Sequence, residues 1–235
     1  MKGRLYGVGV GPGDPELMTI KAKKTIESSD IVVVPGKTVE DSIAYRIAKG
    51  ACENLDDLNL IALEMPMSKE KKTLDQMHEK AARQIEIWLD AGKNVSFLTL
   101  GDVTVYSTYM YVHQRVVKDG YDAAIVNGIT SFTAAAARLN TDLVERAEPL
   151  HVIPATFQVD EMDALLSLPG TKVLMKSGKE IGKVREAVLA SGQKAMMVEN
   201  CGMENEKVYL DAKEIPDTAS YYSLIIVKEP QEEAE

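Results

Sequence analysis

Apolar and polar positions along this chain follow two periods that take turns. The stretches 5–10, 31–34 and 95–100 are nearly continuous apolar runs rich in β-branched residues, as in strands buried on both faces. Between them apolar residues recur at helical spacing. Ile43 and Ile47 mark a helix over 41–49, and Leu74, Met77, Ala81, Ile85, Trp88 and Leu89 mark another over 74–90 that Gly92 ends. A helix running to about Ser28 starts at Asp14-Pro15 or at Thr19; an Asp cap with Pro at the first helical position favours the earlier start. Residues 60–63 read as a short strand, 65–72 as an exposed basic loop and 108–117 as a helix. The second half continues the alternation, with strands expected over 123–126, 150–154, 172–175, 195–198, 207–210 and 222–227. Its helices are expected over 132–139, 161–168 and 181–190, with breaks at Pro169-Gly170 and Ser191-Gly192. The fold class is therefore α/β. No internal repeat or flexible linker appears, and the boundary falls between Gly120 and Asn140. That divides the chain into lobes 1–120 and 121–235, expected to pack over one ligand cleft.

Two strands end in a chemically distinctive way. The first runs into Gly7-Val8-Gly9-Val10-Gly11-Pro12-Gly13-Asp14, and the strand over 95–100 runs into Gly101-Asp102-Val103-Thr104-Val105-Tyr106-Ser107-Thr108. Glycine permits positive φ and close backbone approach, and Asp caps the next segment of chain. Two such loops at the carboxyl ends of parallel strands lie where open α/β sheets bind ligands. Familiar nucleotide signatures fail here. The G-x-G-x-x-G frames from Gly7, Gly9 and Gly11 end on Pro12, Asp14 and Glu16, and the second strand ends in Val34-Pro35-Gly36-Lys37 without a ribose-binding carboxylate. No G-x-x-x-x-G-K-[ST] occurs, and Asp14 would repel a phosphate.

Composition narrows the classes. A net charge of -9 argues against a broad nucleic-acid surface, ribosomal RNA included. Cys52 and Cys201 belong to no disulfide or zinc pattern, and His78, His113 and His151 show no ligand-like spacing, so no metal site is expected. No signal-peptide h-region or membrane-length apolar run is seen, which gives a cytoplasmic expectation. The acidic tail after Lys228 is expected to fray.

Taken together, the motifs resemble the tetrapyrrole methylase family, class III S-adenosylmethionine (SAM) methyltransferases, over nearly the whole chain. The resemblance rests on the loop Gly7 to Asp14 followed by Leu17, Thr19 and Ala22, and on Leu98, Gly101 and Asp102. It extends to the turn Gly128 to Ser131 with alanines after it, and to Val198-Glu199-Asn200. Tyr106-Ser107-Thr108 and Ser131-Phe132 with Ala134-Ala135-Ala136 look most like the branch that methylates carbon 20 of precorrin-2 or cobalt-factor II in cobalamin synthesis. Two departures stand out: Val103 and Asn127 occupy positions where many members have proline.

The resemblance implies a bilobal fold, a homodimer and SAM, leaving as S-adenosylhomocysteine, in the cleft between the lobes. Leu100, Gly101 and Asp102 would line the methionine portion, with Val105 and Tyr106 nearby and Thr130 and Ser131 below it. Met175, Lys176, Asn200, Cys201 and Gly202 would surround the adenosine, and Pro12, counted among the cofactor contacts, would line the macrocycle side. Asp102 and Lys176 are the catalytic candidates, Asp102 as a base for the proton displaced at carbon 20. For a polycarboxylate macrocycle, Gly13, Asp14, Lys37 and Lys179 are the expected contacts, with Lys69, Lys71 and Lys72 as further cations. Tyr221 and Tyr222 suit either stacking on a flat ligand or packing in the last strand. Competing readings are methylation of another tetrapyrrole such as uroporphyrinogen III, protein methylation of the diphthine type, and a nucleotide-binding module without catalysis.

Overall fold

Five strands of the first unit, Met1–Thr130, pair side by side and all in parallel. They are β1 (Leu5–Gly9), β2 (Ile31–Pro35), β3 (Leu60–Leu63), β4 (Val95–Thr99) and β5 (Ala123–Val126), in the order β3-β2-β4-β1-β5. The computed structural model describes residues 1–65, 71–155 and 159–229. Parallel neighbours require crossovers, and α1 (Ile20–Glu27), α2 (Ile43–Ala51), α3 (Lys71–Asp90) and α4 (Tyr109–Lys118) supply them. Because side chains alternate across a strand, each strand feeds two cores. Val8, Val32, Val34 and Leu98 pack with Ala22 and Ile26 of α1 and with Ala44, Ile47 and Ala48 of α2. Leu5, Ile31, Val33, Val95 and Phe97 pack with Ala81, Ile85 and Leu89 of α3 and with Val112 and Val116 of α4. Burial on both faces explains the continuous apolar runs in the sequence.

The second unit, Ser131–Glu235, has its own sheet. Its strands are β6 (Leu150–Pro154), β7 (Thr171–Met175), β8 (Lys194–Glu199), β9 (Lys207–Tyr209) and β10 (Ser223–Lys228), in the order β6-β7-β10-β8-β9. Strands β6 and β7 run parallel; β10 lies antiparallel to β7 and β8, and β9 antiparallel to β8. Ala135, Ala136 and Leu139, from α5 (Ser131–Arg138) and the residue after it, cover Val173, Val198, Leu224 and Ile226. On the other face α6 (Met162–Leu166) and α7 (Ile181–Ser191) cover Ile153, Leu174, Met197 and Ile225.

Three sequence expectations change. Asp14 does cap a turn with Pro15 at its first position, but that turn is a 3-10 helix ending at Leu17. Met18 and Thr19 are extended, and Thr19 caps the true α1 by accepting from Ala22 N. The units divide at Thr130/Ser131, inside the expected window between Gly120 and Asn140 but later than the split at 120, because β5 pairs with β1 from Leu5↔Ala123 to Val8↔Val126 and completes the first sheet. The basic loop over 65–72, Lys69 included, lies mostly outside the described residues, and Lys71 and Lys72 begin α3. Of the acidic tail only Glu229 is described; its Oε1 accepts from Gly170 N at 3.1 Å. Among the described residues no helix is long and apolar enough to cross a membrane.

Candidate functional site

Strand β1 leads to β2, beyond β4, whereas β4 leads to β5, beyond β1, so the connections part between neighbouring strands β4 and β1. Ligands of open α/β sheets sit beyond the carboxyl ends of the strands at such a point. Glycines let the backbones meet there. Gly11 N donates to Gly101 O at 3.2 Å, and Gly101 N to Gly11 O at 2.7 Å. A Cβ on Gly128 would lie 2.2 Å from Gly101 O, and one on Gly9 would lie 2.6 Å from the same oxygen. Any side chain at either position would force these loops apart. Gly101 is glycine for a different reason. Its φ is +71°, and a Cβ there would meet only Ile129 O, at 3.9 Å, so space lies open beside a left-handed backbone. Further down β1, Gly7 makes room for the buried Tyr109 ring, which would come within 2.1 Å of a Cβ.

Asp102, only 5% exposed, ties these loops together. Its Oδ1 accepts from Thr104 N at 2.8 Å and from Thr104 Oγ1 at 2.5 Å. Its Oδ2 accepts from Gly128 N at 2.9 Å and from Asn127 Nδ2 at 3.2 Å. Burial works to raise the carboxyl pKa, but the hydrogen bonds from Thr104, Gly128 and Asn127 outweigh it and hold it below the ordinary aspartate value. A carboxylate with both oxygens engaged and its proton affinity lowered is poorly suited to act as a base. The expected base is therefore better described as a clamp between the β4 and β5 loops. Thr19 extends the tie to the β1 loop, donating from Oγ1 to Asn127 O at 3.3 Å.

The expected cofactor residues of the first unit thus gather at one sheet edge. Pro12 is buried in the β1 loop beside Gly13, an expected substrate contact; Leu100, Gly101, Asp102, Val105 and Tyr106 follow β4, and Thr130 follows β5. Asp14 spends its Oδ1 on Glu16 N at 2.9 Å, a capping role. Lys37 is exposed after β2, a strand separated from β1 by β4, and takes no part in the loop contacts described above.

In the second unit Met175 and Lys176 end β7, and Asn200, Cys201 and Gly202 follow β8; β10 lies between those strands. Asn200 N donates to Tyr222 O at 3.1 Å, and Gly202 N to Glu206 Oε2 at 2.8 Å. Lys176 Nζ lies 5.7 Å from the centroid of the Tyr221 ring, which meets Tyr222 edge-on. Lys179 is exposed in the short turn Ser177–Glu180, and Ser131 opens α5.

One signal was invisible in the sequence. Five described non-glycine residues have positive φ, and three of them are Tyr106, Lys176 and Asn200, all in the expected cofactor set. Strained backbone of this kind clusters at functional sites. Asn127 was also missed as more than a turn residue; an amide directly after a strand and before a glycine was the available hint. The histidines are spent elsewhere: His78 stacks on Tyr111, His113 Nδ1 lies 3.0 Å from the Tyr109 hydroxyl, and His151 Nε2 lies 2.9 Å from Pro169 O. Cys52 is buried in the core, which pushes its thiol up to about 11.

A doubly covered parallel sheet with glycine loops at its switch point, joined to a second mixed-sheet unit, defines a class of two-unit α/β ligand-binding proteins. The chain belongs to the family of tetrapyrrole (corrin/porphyrin) methylases, whose family model matches residues 4–216. It is 35% identical to the cobalamin biosynthesis protein CobIJ of Mycobacterium tuberculosis over 96% of this chain, and spans 46% of that relative's length. It is 31% identical to the precorrin-2 C(20)-methyltransferase of a Sinorhizobium species, covering 96% of this chain and 95% of the relative. It is 34% identical to a probable cobalt-precorrin-2 C(20)-methyltransferase of Methanocaldococcus jannaschii, covering 96% of each. The fold matches a solved uroporphyrin-III C-methyl transferase of Thermus thermophilus complexed with S-adenosylhomocysteine, with a TM-score of 0.69. That match is at 19% identity and covers 96% of this chain and 97% of that one.

Proposed function

We propose that this protein transfers a methyl group from SAM to carbon 20 of precorrin-2 or its cobalt-bearing counterpart in corrin biosynthesis. The observation that carries the reading is its match to two relatives named for that reaction across nearly their whole lengths. The residues suit the cofactor. Space opens beside left-handed Gly101, where an amino-acid moiety can lie against backbone polar groups, and the ionised Asp102 gives that edge a negative potential favourable to a sulfonium.

SAM supplies a methyl group already activated on sulfur, so the chain's task is alignment and exclusion of water. Gly101, whose N–H is spent on Gly11 O, offers open space to the methionine portion, and Thr130 follows on the β5 loop that the Asp102 bonds tie to the β4 loop. Met175, Asn200, Cys201 and Gly202, with the backbone of Lys176, are proposed as adenosine contacts on the strength of the resemblance and of the strained backbone at Lys176 and Asn200. Orientation of this kind is worth ~7–11 kcal/mol of barrier. The electron-rich meso carbon of the reduced macrocycle is its own nucleophile: its bond to the methyl group forms as the sulfur–methyl bond breaks, and the proton displaced from carbon 20 leaves to solvent, so no side-chain nucleophile is required. Lys176 is assigned to the substrate as a cation for a carboxylate. A homodimer and a cytoplasmic location are proposed on the resemblance alone; sedimentation at the 25.8 kDa of a single chain would remove the dimer.

Calorimetric titration tests the cofactor assignment. SAM is expected to bind at micromolar affinity and NAD and ATP not at all; equal heats from all three, or none from SAM, would refute it. In the same assay Lys176→Ala is expected to keep SAM affinity within a few-fold. Turnover should fall ~10-fold or more, the worth of one charge-assisted hydrogen bond.

A further inference from the structure

We propose that Asn127 is a positioning residue for the cofactor: its side-chain amide, bonded to the Asp102 carboxylate, sets the spacing of the β4 and β5 loops. The inference rests on the SAM-binding reading above and adds a residue that neither touches the donor nor takes part in the chemistry.

Among the described residues, two bonds join the Asp102 carboxylate to the β5 loop, those from Gly128 N at 2.9 Å and Asn127 Nδ2 at 3.2 Å. The amide orientation follows from the chemistry. Turned the other way, Asn127 would set its oxygen against an ionised carboxylate oxygen. The two loops so joined carry Gly101 on one side and Thr130, three residues past Asn127, on the other. Asn127 O meanwhile accepts from Thr19 Oγ1 at 3.3 Å, so one residue links the loops after β1, β4 and β5. Its side chain is exposed, and its φ is ordinary. Its removal therefore leaves no cavity and relieves no strain. What it removes is a donor to a nearly buried anion at the point where loop spacing is decided. Thr104 is the natural contrast, since its two bonds to Oδ1 stay within the β4 loop.

Asn127→Ala, Asn127→Asp and Thr104→Val are to be compared with the unaltered protein by SAM calorimetry, steady-state kinetics and thermal melting. Asn127→Ala should weaken SAM binding ~5–10-fold, as expected for the net worth of one solvent-exposed hydrogen bond, and raise KM for SAM in parallel. Asn127→Asp, which opposes two carboxylates, should weaken it further. For both, kcat at saturating SAM should stay within about twofold, because the chemical step is untouched. Thr104→Val should leave SAM affinity within about twofold, since it cuts no bond between loops. A lowered melting temperature with unchanged SAM affinity would make Asn127 merely structural and overturn the proposal. A fall in kcat with unchanged affinity would make it catalytic and overturn it equally. If the unaltered protein bound no SAM, the functional reading itself would fail; normal binding by both Asn127 variants would sink this inference alone.

Discussion

Asp102 follows a left-handed glycine, and its nature turns on where its two oxygens go. Four donors from Thr104, Asn127 and Gly128 occupy them. Such bonding favours the ionised form, and the native pKa lies below the unfolded one of ~3.9. The contribution to stability is therefore fully present above the unfolded pKa and disappears as pH falls through the native value. Asp102→Asn replaces an acceptor oxygen by a donor facing N–H groups, and is expected to cost ~1–3 kcal/mol near neutral pH. Urea denaturation at stepped pH checks this: the gap between the two proteins should be constant from pH 7 to about 5 and close below about 4. A gap that persists unchanged to pH 2 would contradict the charge-based account. If Asp102 were instead the base, kcat of the variant would drop by ~10²–10⁴ at saturating SAM; the clamp predicts weakened SAM affinity with kcat largely kept.

At the scale of elements, the contact among the β1, β4 and β5 loops depends on missing side chains. Gly128→Ala would place a Cβ 2.2 Å from Gly101 O, a backbone atom that cannot swing aside. Gly120→Ala meets nothing within 4 Å and bears only the strain of φ +83°. The first should cost ~1–3 kcal/mol for overpacking and also loosen SAM binding. The second should cost ~1–2 kcal/mol and leave binding intact. Equal SAM affinity in the two variants would contradict the role given to the loop contact. The parallel strands were legible in the sequence because burial on both faces leaves uninterrupted runs such as Ile31 to Val34. The start of α1 was misread because Asp14-Pro15 is a sound helix opening, and only the extended Met18 and Thr19 end it. Lys172 shows the same limit. It opens an expected strand, yet it is fully buried, with Nζ donating to Gln193 Oε1 at 3.0 Å and burial lowering its pKa. A residue type ordinarily found in solvent gives no local sign of such a partner. The Gly-Asp turns of the candidate site were readable as turns. The bonds from Asn127 to Asp102 and from Thr19 to Asn127 were not, since they join residues 25 and 108 positions apart.

For the molecule as a whole, family membership, loop chemistry and charge point the same way. A net charge of -9 suits neither nucleic acid nor, without local cations, a polycarboxylate ring, so lysines such as Lys176 bear on substrate choice. The relatives carry names for both metal-free and cobalt-bearing substrates, which makes the ring carbon rather than the metal the central claim. The most direct measurement is anaerobic incubation of the protein with SAM labelled in its methyl group and with precorrin-2 or its cobalt form. Mass spectrometry and carbon NMR of the product then locate the label. The account predicts a single labelled methyl group at carbon 20 with at least one of the two rings. Label confined to pyrrole carbons, or no labelled product from either ring, would contradict it.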